Sequence, residues 1–332
     1  MHEAAILVVI VNYRTPDLAV DAVASLADEV RARGDTQVVV VENGSGDESA
    51  AVIAAAIEAH GFGDWCALVV SERNGGFAAG NNVGIRWYQD RHGGALPAQV
   101  WLVNPDTRAE PGALGALVDF MDAHPQVGIA GGRCLWEDGS TRYTAFRFHS
   151  PRTELVSAVN FGPVTKLLGK AQVALPIPEA PRRVDWVSGS SFMVRRAVIE
   201  AIGGMDEGYF LYFEEADYCA RAQDAGFEVW TVPASVITHL GGKSTGVTGA
   251  SRTLNRRPRY WFASRARFFI ARYGRARTHL ANLLWIIGYP LGTLIGRARG
   301  RPRADPPRFW RDFITNYYGA GGLMYRPAEG GK

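Results

Sequence analysis

Three carboxylates fall within four positions at Glu214-Glu215-Ala216-Asp217, directly after the aromatic run Tyr209-Phe210-Leu211-Tyr212-Phe213. Apolar surroundings disfavour ionisation, so such a carboxylate is raised towards the range in which it serves as a general base. On a helix, Glu214 and Asp217 share a face and Glu215 points about a hundred degrees away. The plainer alternative is a group of acids favoured at a helix start by the dipole. Asp106 ends the otherwise uncharged tetrad Val103-Asn104-Pro105-Asp106. A hard divalent cation on a diphosphate needs few protein ligands, because phosphate oxygens and water supply the rest, so one strand-end carboxylate can suffice. The alternative is an aspartate that shapes a turn. His239 follows Val236-Ile237-Thr238 and precedes Leu240-Gly241-Gly242-Lys243-Ser244-Thr245-Gly246. A lone imidazole is more often structural than ligating, but a glycine-rich loop with one cation can wrap phosphates with its backbone N–H groups. The loop does not have the spacing of a P-loop.

These residues need a scaffold. An apolar β-branched run at 6–11, a helical pattern at 17–33 and a second apolar run at 37–41 form a βαβ opening, which predicts a parallel sheet. Helix at 52–60, strand at 66–70, helix at 78–89 and strand at 100–103 continue the alternation. Beyond Asp106 we expect a helix at 112–123, a strand near 128–131 and a hairpin-like region at 135–148. Residues 150–183, with irregular apolar spacing and clustered prolines, read as a mobile or substrate-covering insertion. A strand at 184–194, a short helix at 195–202, a helix at 214–226, a strand at 228–232 and a last strand before His239 complete the pattern. In open parallel sheets ligands settle beyond the carboxyl ends of the strands. The polar segments after the strands, Asn12-Tyr13-Arg14, Glu42-Asn43-Gly44-Ser45-Gly46-Asp47, Glu72-Arg73-Asn74-Gly75-Gly76-Phe77 and Asn104-Pro105-Asp106, are therefore expected on one edge.

Taken in order, Val11-Asn12-Tyr13, Val41-Glu42-Asn43-Gly44-Ser45-Gly46-Asp47, Asn74-Gly75-Gly76-Phe77-Ala78-Ala79-Gly80-Asn81-Asn82 and Asn104-Pro105-Asp106-Thr107 resemble the pattern of glycosyltransferase family 2. So do Trp186-Val187-Ser188-Gly189-Ser190, Gly203-Gly204-Met205-Asp206-Glu207, Tyr212-Phe213-Glu214-Glu215-Ala216-Asp217 and His239, and the set is most similar to the bacterial rhamnosyltransferase-like branch. The resemblance covers residues 5–270. It implies an α/β GT-A fold with a mostly parallel central sheet, a nucleoside diphosphate sugar donor (dTDP- or UDP-linked), Mg²⁺ or Mn²⁺, and transfer with inversion at the anomeric carbon. Val11, Asn12, Tyr13, Glu42, Ser45, Asn74, Gly76, Asn81, Asn82, Asn104 and Asp106 would then hold the donor, with turn formation and capping as the alternative for the three asparagines at 74, 81 and 82. Trp186, Gly189 and Glu214 would face the acceptor, and Asp106 with His239 would hold the metal. The family's base falls on Glu215, where Asp is commoner, so Glu214 and Asp217 stay open as bases. Two further departures are Glu42, where an aspartate usually reads the nucleotide, and Asn104 in place of the first metal-binding acid.

The chain of 332 residues, 47% hydrophobic, can bury a full core, which argues against disorder. Its three cysteines form no CxxC pair, as expected of a reducing cytoplasm. The N-terminal apolar run lacks the features of a signal peptide, and no unbroken apolar run reaches the roughly 18 to 20 residues of a spanning helix. Arginine crowds the chain beyond residue 251, interleaved with aromatics at Arg256-Arg257-Pro258-Arg259-Tyr260-Trp261-Phe262, and residues 283–295 are apolar but interrupted by Gly288, Pro290 and Gly292. This suits a segment resting on an anionic membrane at the inner face of the cell membrane. A nucleic-acid patch would carry the same charge, but no nucleic acid is expected, and the plainer alternative is an amphipathic C-terminal helix packed onto the main domain. We expect a catalytic domain over 1–250, with a nucleotide-binding half at 1–107 and an acceptor and catalytic half at 108–250, followed by a basic extension at 251–332. Transfer to a lipid-linked or polysaccharide acceptor in envelope assembly is the leading expectation. The rivals are a sugar nucleotidyltransferase, whose glycine-rich, Arg/Lys-bearing signature after the first strand is missing here, and a non-catalytic carbohydrate- or nucleic-acid-binding protein.

Overall fold

The computed structural model describes residues 5–169, 171–240 and 255–324. The chain divides into two compact units, the first made of Met1–Phe146, Leu175–Phe210 and Glu214–Thr245, the second of Arg147–Ala174, Leu211–Phe213 and Gly246–Lys332. The extension expected at 251–332 thus belongs to a larger unit that also takes in 147–174 and 211–213 from within the stretch expected to be wholly catalytic.

The first unit opens with β1 (Ile6–Asn12), α1 (Pro16–Arg33), β2 (Thr36–Glu42), α2 (Ser49–Ala59), β3 (Cys66–Val70), α3 (Gly76–Arg91) and β4 (Gln99–Val103). All seven residues of β1 and all five of β4 are buried, as strands covered on both faces require. These strands pair in parallel in the order β3-β2-β1-β4, with Asn12 opposite Glu42 and Glu42 opposite Val70. That register brings the polar residues after each strand to one edge. Helix α3 presses close to β1: a Cβ on Gly84 would lie 2.6 Å from a Val9 methyl, so only glycine permits this approach.

The second half supplies β5 (Thr107–Ala109), α4 (Ala113–Ala123), β6 (Val127–Trp136), β7 (Thr141–Arg142) and β8 (Ala145–Phe146). In the second unit follow α5 (Pro151–Val159) and α6 (Gly162–Leu167). The first unit resumes with β9 (Arg182–Arg183), β10 (Trp186–Val187), β11 (Ser191–Arg195), α7 (Arg196–Ile202), α8 (Glu214–Asp224) and β12 (Glu228–His239). The sheet continues from β4 through β11, β6 and β12 to β5. Its long neighbours β6 and β12 run parallel, while β11 is inserted antiparallel between β4 and β6.

Three expectations change here. Residues 150–183 are not wholly irregular, because Pro151 and Pro163 stand at the starts of α5 and α6, where a missing N–H costs nothing. Ser150 and Thr153 add a reciprocal capping box to α5. The strand expected at 184–194 is divided into β10 and β11. The two strands expected at 228–232 and before His239 are one, β12, whose register shifts between Val232 and Val236, where Pro233 cannot join the ladder.

The second unit is completed by α9 (Arg259–Ala298) and α10 (Phe309–Tyr318). Gly274, at φ 73°, kinks α9. The glycines and proline at 288–292 do not break the helix. Gly288 and Gly292 instead let it pack on α5, since a Cβ at Gly292 would meet the Val159 carbonyl at 2.3 Å. Among the described residues one helix, α9, is therefore long and apolar enough to cross a membrane by length and composition. Arg265 is buried in this unit and its guanidinium bonds the carboxylate of Glu154 at 2.7 Å, Asn282 Oδ1 at 2.8 Å and the Tyr317 hydroxyl at 3.1 Å. The ion pair holds the Glu154 carboxyl at about 2 despite burial.

Candidate active site

At the strand edge the turn after β1 locks onto the turn after β2. Arg14, in the left-handed region at φ 57°, donates its backbone N–H to Ser45 Oγ at 2.9 Å and its Nε–H to the Ser45 carbonyl at 3.1 Å. Glu42 is buried and accepts the Ser45 N–H at 2.8 Å. Asn12 turns its Oδ1 to the Thr15 N–H at 3.2 Å, and its Nδ2 is buried without a partner. Tyr13 lies under the Arg14 guanidinium, and Val11 is buried.

Asn43, which the sequence did not single out, ties this edge together. Its Nδ2 donates to Asn74 Oδ1 at 3.1 Å and to the Gly76 carbonyl at 3.0 Å. Asn74 Oδ1 also accepts the Gly76 N–H at 2.9 Å. The signal available was position, since Asn43 is the first residue beyond β2. Gly44 beside it has φ 67°, and any Cβ there would fall 2.4 Å from the Arg73 carbonyl carbon, so this crossing admits no side chain. Asn82 commits its amide to Met205 and Glu207, bracing the 203–207 loop against α3. Asn81 donates to the Phe77 carbonyl and leaves Oδ1 buried and unpartnered. Asn104 is half-buried and its carbonyl accepts from Thr107 Oγ1.

The backbone enters α8 through Tyr212 and Phe213, two adjacent non-glycine residues at φ 70° and 69°. Such strain persists only where the surroundings enforce it, and it gathers at functional sites. Within the carboxylate cluster the three acids separate by environment. Asp217 is ion-paired with Arg221 at 2.8 Å and accepts the Tyr209 hydroxyl at 3.2 Å, and Arg221 in turn bonds the carbonyls of Ile202 and Gly204. That network fixes α8 against the loop after α7 and leaves Glu214 and Glu215 as the chemically uncommitted pair. Each has an Oε2 that is buried and unpartnered. Burial raises both carboxyls above the ordinary range. Glu214 is raised further by the charge of Glu215; each residue's own backbone N–H favours its carboxylate, and Glu215 has that of Gly189 in addition. Glu215 is thus the first of the two to ionise. A Cβ on Gly189 would lie 3.4 Å from the Phe77 ring and 3.8 Å from Glu215 Oε1, so the glycine leaves this side of the carboxylate open. Trp186 stacks on Phe146 with centroids 4.1 Å apart.

Asp106 and His239 are joined by the sheet. In β5 and β12, Thr107 is registered against His239, and the Leu240 N–H closes on the Asp106 carbonyl at 2.8 Å. His239 Nε2 then lies 3.4 Å from Asp106 Oδ1, both buried. Burial lowers the imidazole, with Asp106 opposing and Arg142 assisting, so His239 is neutral at pH 7. No group of three acids, histidines or cysteines that could hold a metal occurs among the described residues. One carboxylate and one neutral imidazole in contact still fit a divalent cation that takes its remaining ligands from phosphate and water. The glycine-rich loop at 241–246 lies outside the described residues.

Residues 3–267 match the family described as glycosyltransferase like family 2. An N-acetylglucosaminyl-diphospho-decaprenol L-rhamnosyltransferase of Mycobacterium tuberculosis is 34% identical over 157 residues, 46% of this chain and 50% of that protein. The dTDP-rhamnosyl transferase RfbF of Shigella flexneri is 24% identical over 220 residues, 66% of each. The chain spans about half the length of the first of these curated relatives. Among solved structures, a mannosyltransferase from Pyrobaculum calidifontis in complex with GDP-Man and Mn²⁺ superposes with a TM-score of 0.54 at 16% identity, covering 90% of this chain and 76% of the other. That likeness concerns the fold, which is GT-A.

Proposed function

Since this chain belongs to the glycosyltransferase like family 2, we propose that it is an inverting, metal-dependent glycosyltransferase that moves a hexose from a nucleoside diphosphate to a lipid-linked or polysaccharide acceptor of the cell envelope. The sugar we infer is rhamnose carried on dTDP, in keeping with the named activities of its rhamnosyl-transferring relatives. The protein would work on the cytoplasmic side, peripheral to the membrane.

The observation that carries this reading is the Glu215 carboxylate, held by the Gly189 N–H, with one oxygen unpartnered and an open side beside it. Glu215 accepts the proton of an acceptor hydroxyl as that oxygen attacks the anomeric carbon. The new C–O bond forms as the bond to the diphosphate breaks on the opposite face, which inverts the centre. Glu214, more strongly held in its neutral form, adds no second negative charge beside the base. Asp106 and His239 would hold Mg²⁺ or Mn²⁺, which supplies charge stabilisation for the departing diphosphate when bound. Asn12 Nδ2 and Asn81 Oδ1 offer a buried donor and acceptor near the nucleotide edge.

Calorimetric titration of dTDP, UDP and GDP with and without Mn²⁺, on the wild type and Asp106→Ala, tests the proposal. Metal-dependent binding of one nucleotide, lost in the variant, is expected. Binding of none would leave a fold without this activity and favour a non-catalytic binding protein.

A further inference from the structure

The second unit presents an exposed apolar surface on α9. Beyond the kink at Gly274, Leu280, Leu283, Ile287, Leu291 and Leu294 recur every three or four residues along α9, and each is between 49% and 67% exposed. At a hundred degrees per residue they form one continuous stripe about 20 Å long. A soluble helix normally turns such a stripe inwards. Here the inward face is already filled by Trp285, stacked on Phe313 at 4.0 Å, and by Gly288 and Gly292 against α5. Just past the stripe, Arg297, Arg308 and Arg311 line a cavity of about 420 Å³ together with Tyr289, Trp310 and the ion pair of Arg303 with Asp305. The three arginines are exposed, and none is ion-paired to a carboxylate among the described residues. Trp310 is 40% exposed and donates its indole N–H to the Ile286 carbonyl, which holds it alongside the stripe.

We propose that this face of α9, with the arginine-lined cavity at its end, docks on an anionic phospholipid bilayer: the stripe enters the acyl boundary, Trp310 lies at the interface and the three arginines take lipid phosphates. Apolar side chains, an indole and cations on one surface are the groups that the acyl boundary, the interface and the headgroups of a bilayer leaflet each accept. Charge selects this occupant over a second copy of the chain. Beyond the kink α9 carries Arg275, Arg277 and Arg297 and no aspartate or glutamate, so two copies of this face would meet like charge with no acidic residue on the helix to offset it. Helix α9 lies on the membrane rather than across it, because its opposite face packs on α5 and α10, which carry Arg152, Glu154, Arg311 and Asp312. Asn282 on that face is held by the buried Arg265. The inference rests on the proposed peripheral location and is independent of the transfer chemistry.

Flotation of the full chain with vesicles of phosphatidylcholine alone, or mixed with phosphatidylglycerol, tests it. Variants are Leu283→Gln/Ile287→Gln and Arg297→Gln/Arg308→Gln/Arg311→Gln, all at exposed positions, with donor-nucleotide titration confirming that each is folded. The wild type should bind only the anionic vesicles and detach at high salt. The triple arginine variant should bind about a hundredfold more weakly, at roughly fivefold per arginine, and the stripe variant should bind weakly too. Retention of wild-type binding by both variants overturns the inference while leaving membrane association by another surface intact. Absence of any vesicle binding overturns both, and equal binding to neutral vesicles overturns the headgroup assignment. Binding of inorganic phosphate without vesicle binding identifies a phosphate site and overturns docking. A dimer in light scattering that Leu283→Gln/Ile287→Gln dissolves makes the stripe a self-interface and overturns it as well.

Discussion

Replacing Glu215 by Gln and, separately, Glu214 by Gln distinguishes a base from its neutral neighbour. Both carboxyls are raised by burial, and each keeps an unpartnered Oε2, but only Glu215 has the Gly189 N–H on its charged form. Gln is nearly isosteric with a protonated Glu, so Glu214→Gln imitates the neutral form that burial and the charge of Glu215 favour there, and should hold kcat within about tenfold. Glu215→Gln removes the proton acceptor, and a positioned general base is worth roughly 10²- to 10⁴-fold, or about 3 to 5 kcal/mol of barrier. Donor affinity should stay unchanged, because the base acts in the transition state. Stability provides an independent check of sign. A carboxyl raised in the folded state contributes stability that is complete below the unfolded pKa near 4.5 and lost as pH rises through the folded value. The wild type should therefore lose stability as pH rises above the ordinary carboxylate range, and each Gln variant should lose less. The assay is kcat and KM by nucleotide release over pH 5 to 9, with denaturant unfolding at both ends. A Glu215→Gln enzyme retaining more than a tenth of wild-type kcat, beside an inactive Glu214→Gln, would refute the assignment.

Gly189→Ala should fold normally, since its methyl would meet Phe77 and Glu215 at 3.4 to 3.8 Å, yet it fills the open side of the carboxylate. A rise in acceptor KM or a fall in kcat of about tenfold or more, with unchanged donor affinity, is expected from steady-state kinetics. Glu154→Gln should destabilise the protein by about 3 to 5 kcal/mol in denaturant unfolding, because Arg265 keeps its charge and loses its buried partner. The Glu154 carboxyl sits at about 2 rather than 4.5, so its contribution of about 3 kcal/mol is present above pH 4.5 and drains away as pH falls towards 2; the variant should show a flatter acid limb. Gly44→Ala should lower soluble expression and thermal stability markedly, because no side-chain rotation relieves an overlap with the Arg73 backbone. An unchanged melting temperature would contradict the crossing described at that turn.

The nucleotide half was legible because each of its elements declares itself locally. The β-branched runs of β1 and β2 alternate with periodic helices, and strand-end polarity falls where the parallel register puts it. The second half was less so. Pro151 and Pro163 counted towards an irregular insertion at 150–183 although both start helices, a distinction that rests on the residues after each proline rather than on the proline itself. The contact between Asp106 and His239 depends on the pairing of β5 with β12, and no local signal encodes that pairing. The separation of Asp217 from the two glutamates had a local clue in Arg221, four residues on, which marks Asp217 as the structural member of the cluster. Asn43 was visible only as one of several polar residues beyond β2, because its importance comes from two loops that the sequence places far apart.

The insertion of β11 between β4 and β6 bears on how the chain is made as well as on how it is held. Strands β1 to β4 can pair as soon as they leave the ribosome, since they are contiguous in sequence. Their sheet then ends at β4, whose residues Gln99–Val103 are wholly buried in the finished protein, and its partner Ser191–Arg195 is translated on the order of ten seconds later. During that interval the nascent chain carries an open, apolar strand edge, the kind of surface that recruits chaperones or a neighbouring polypeptide. Synthesis stalled before residue 191 should for that reason yield aggregates rather than a soluble nucleotide-binding half, and fast translation through the 104–190 stretch should favour the native product.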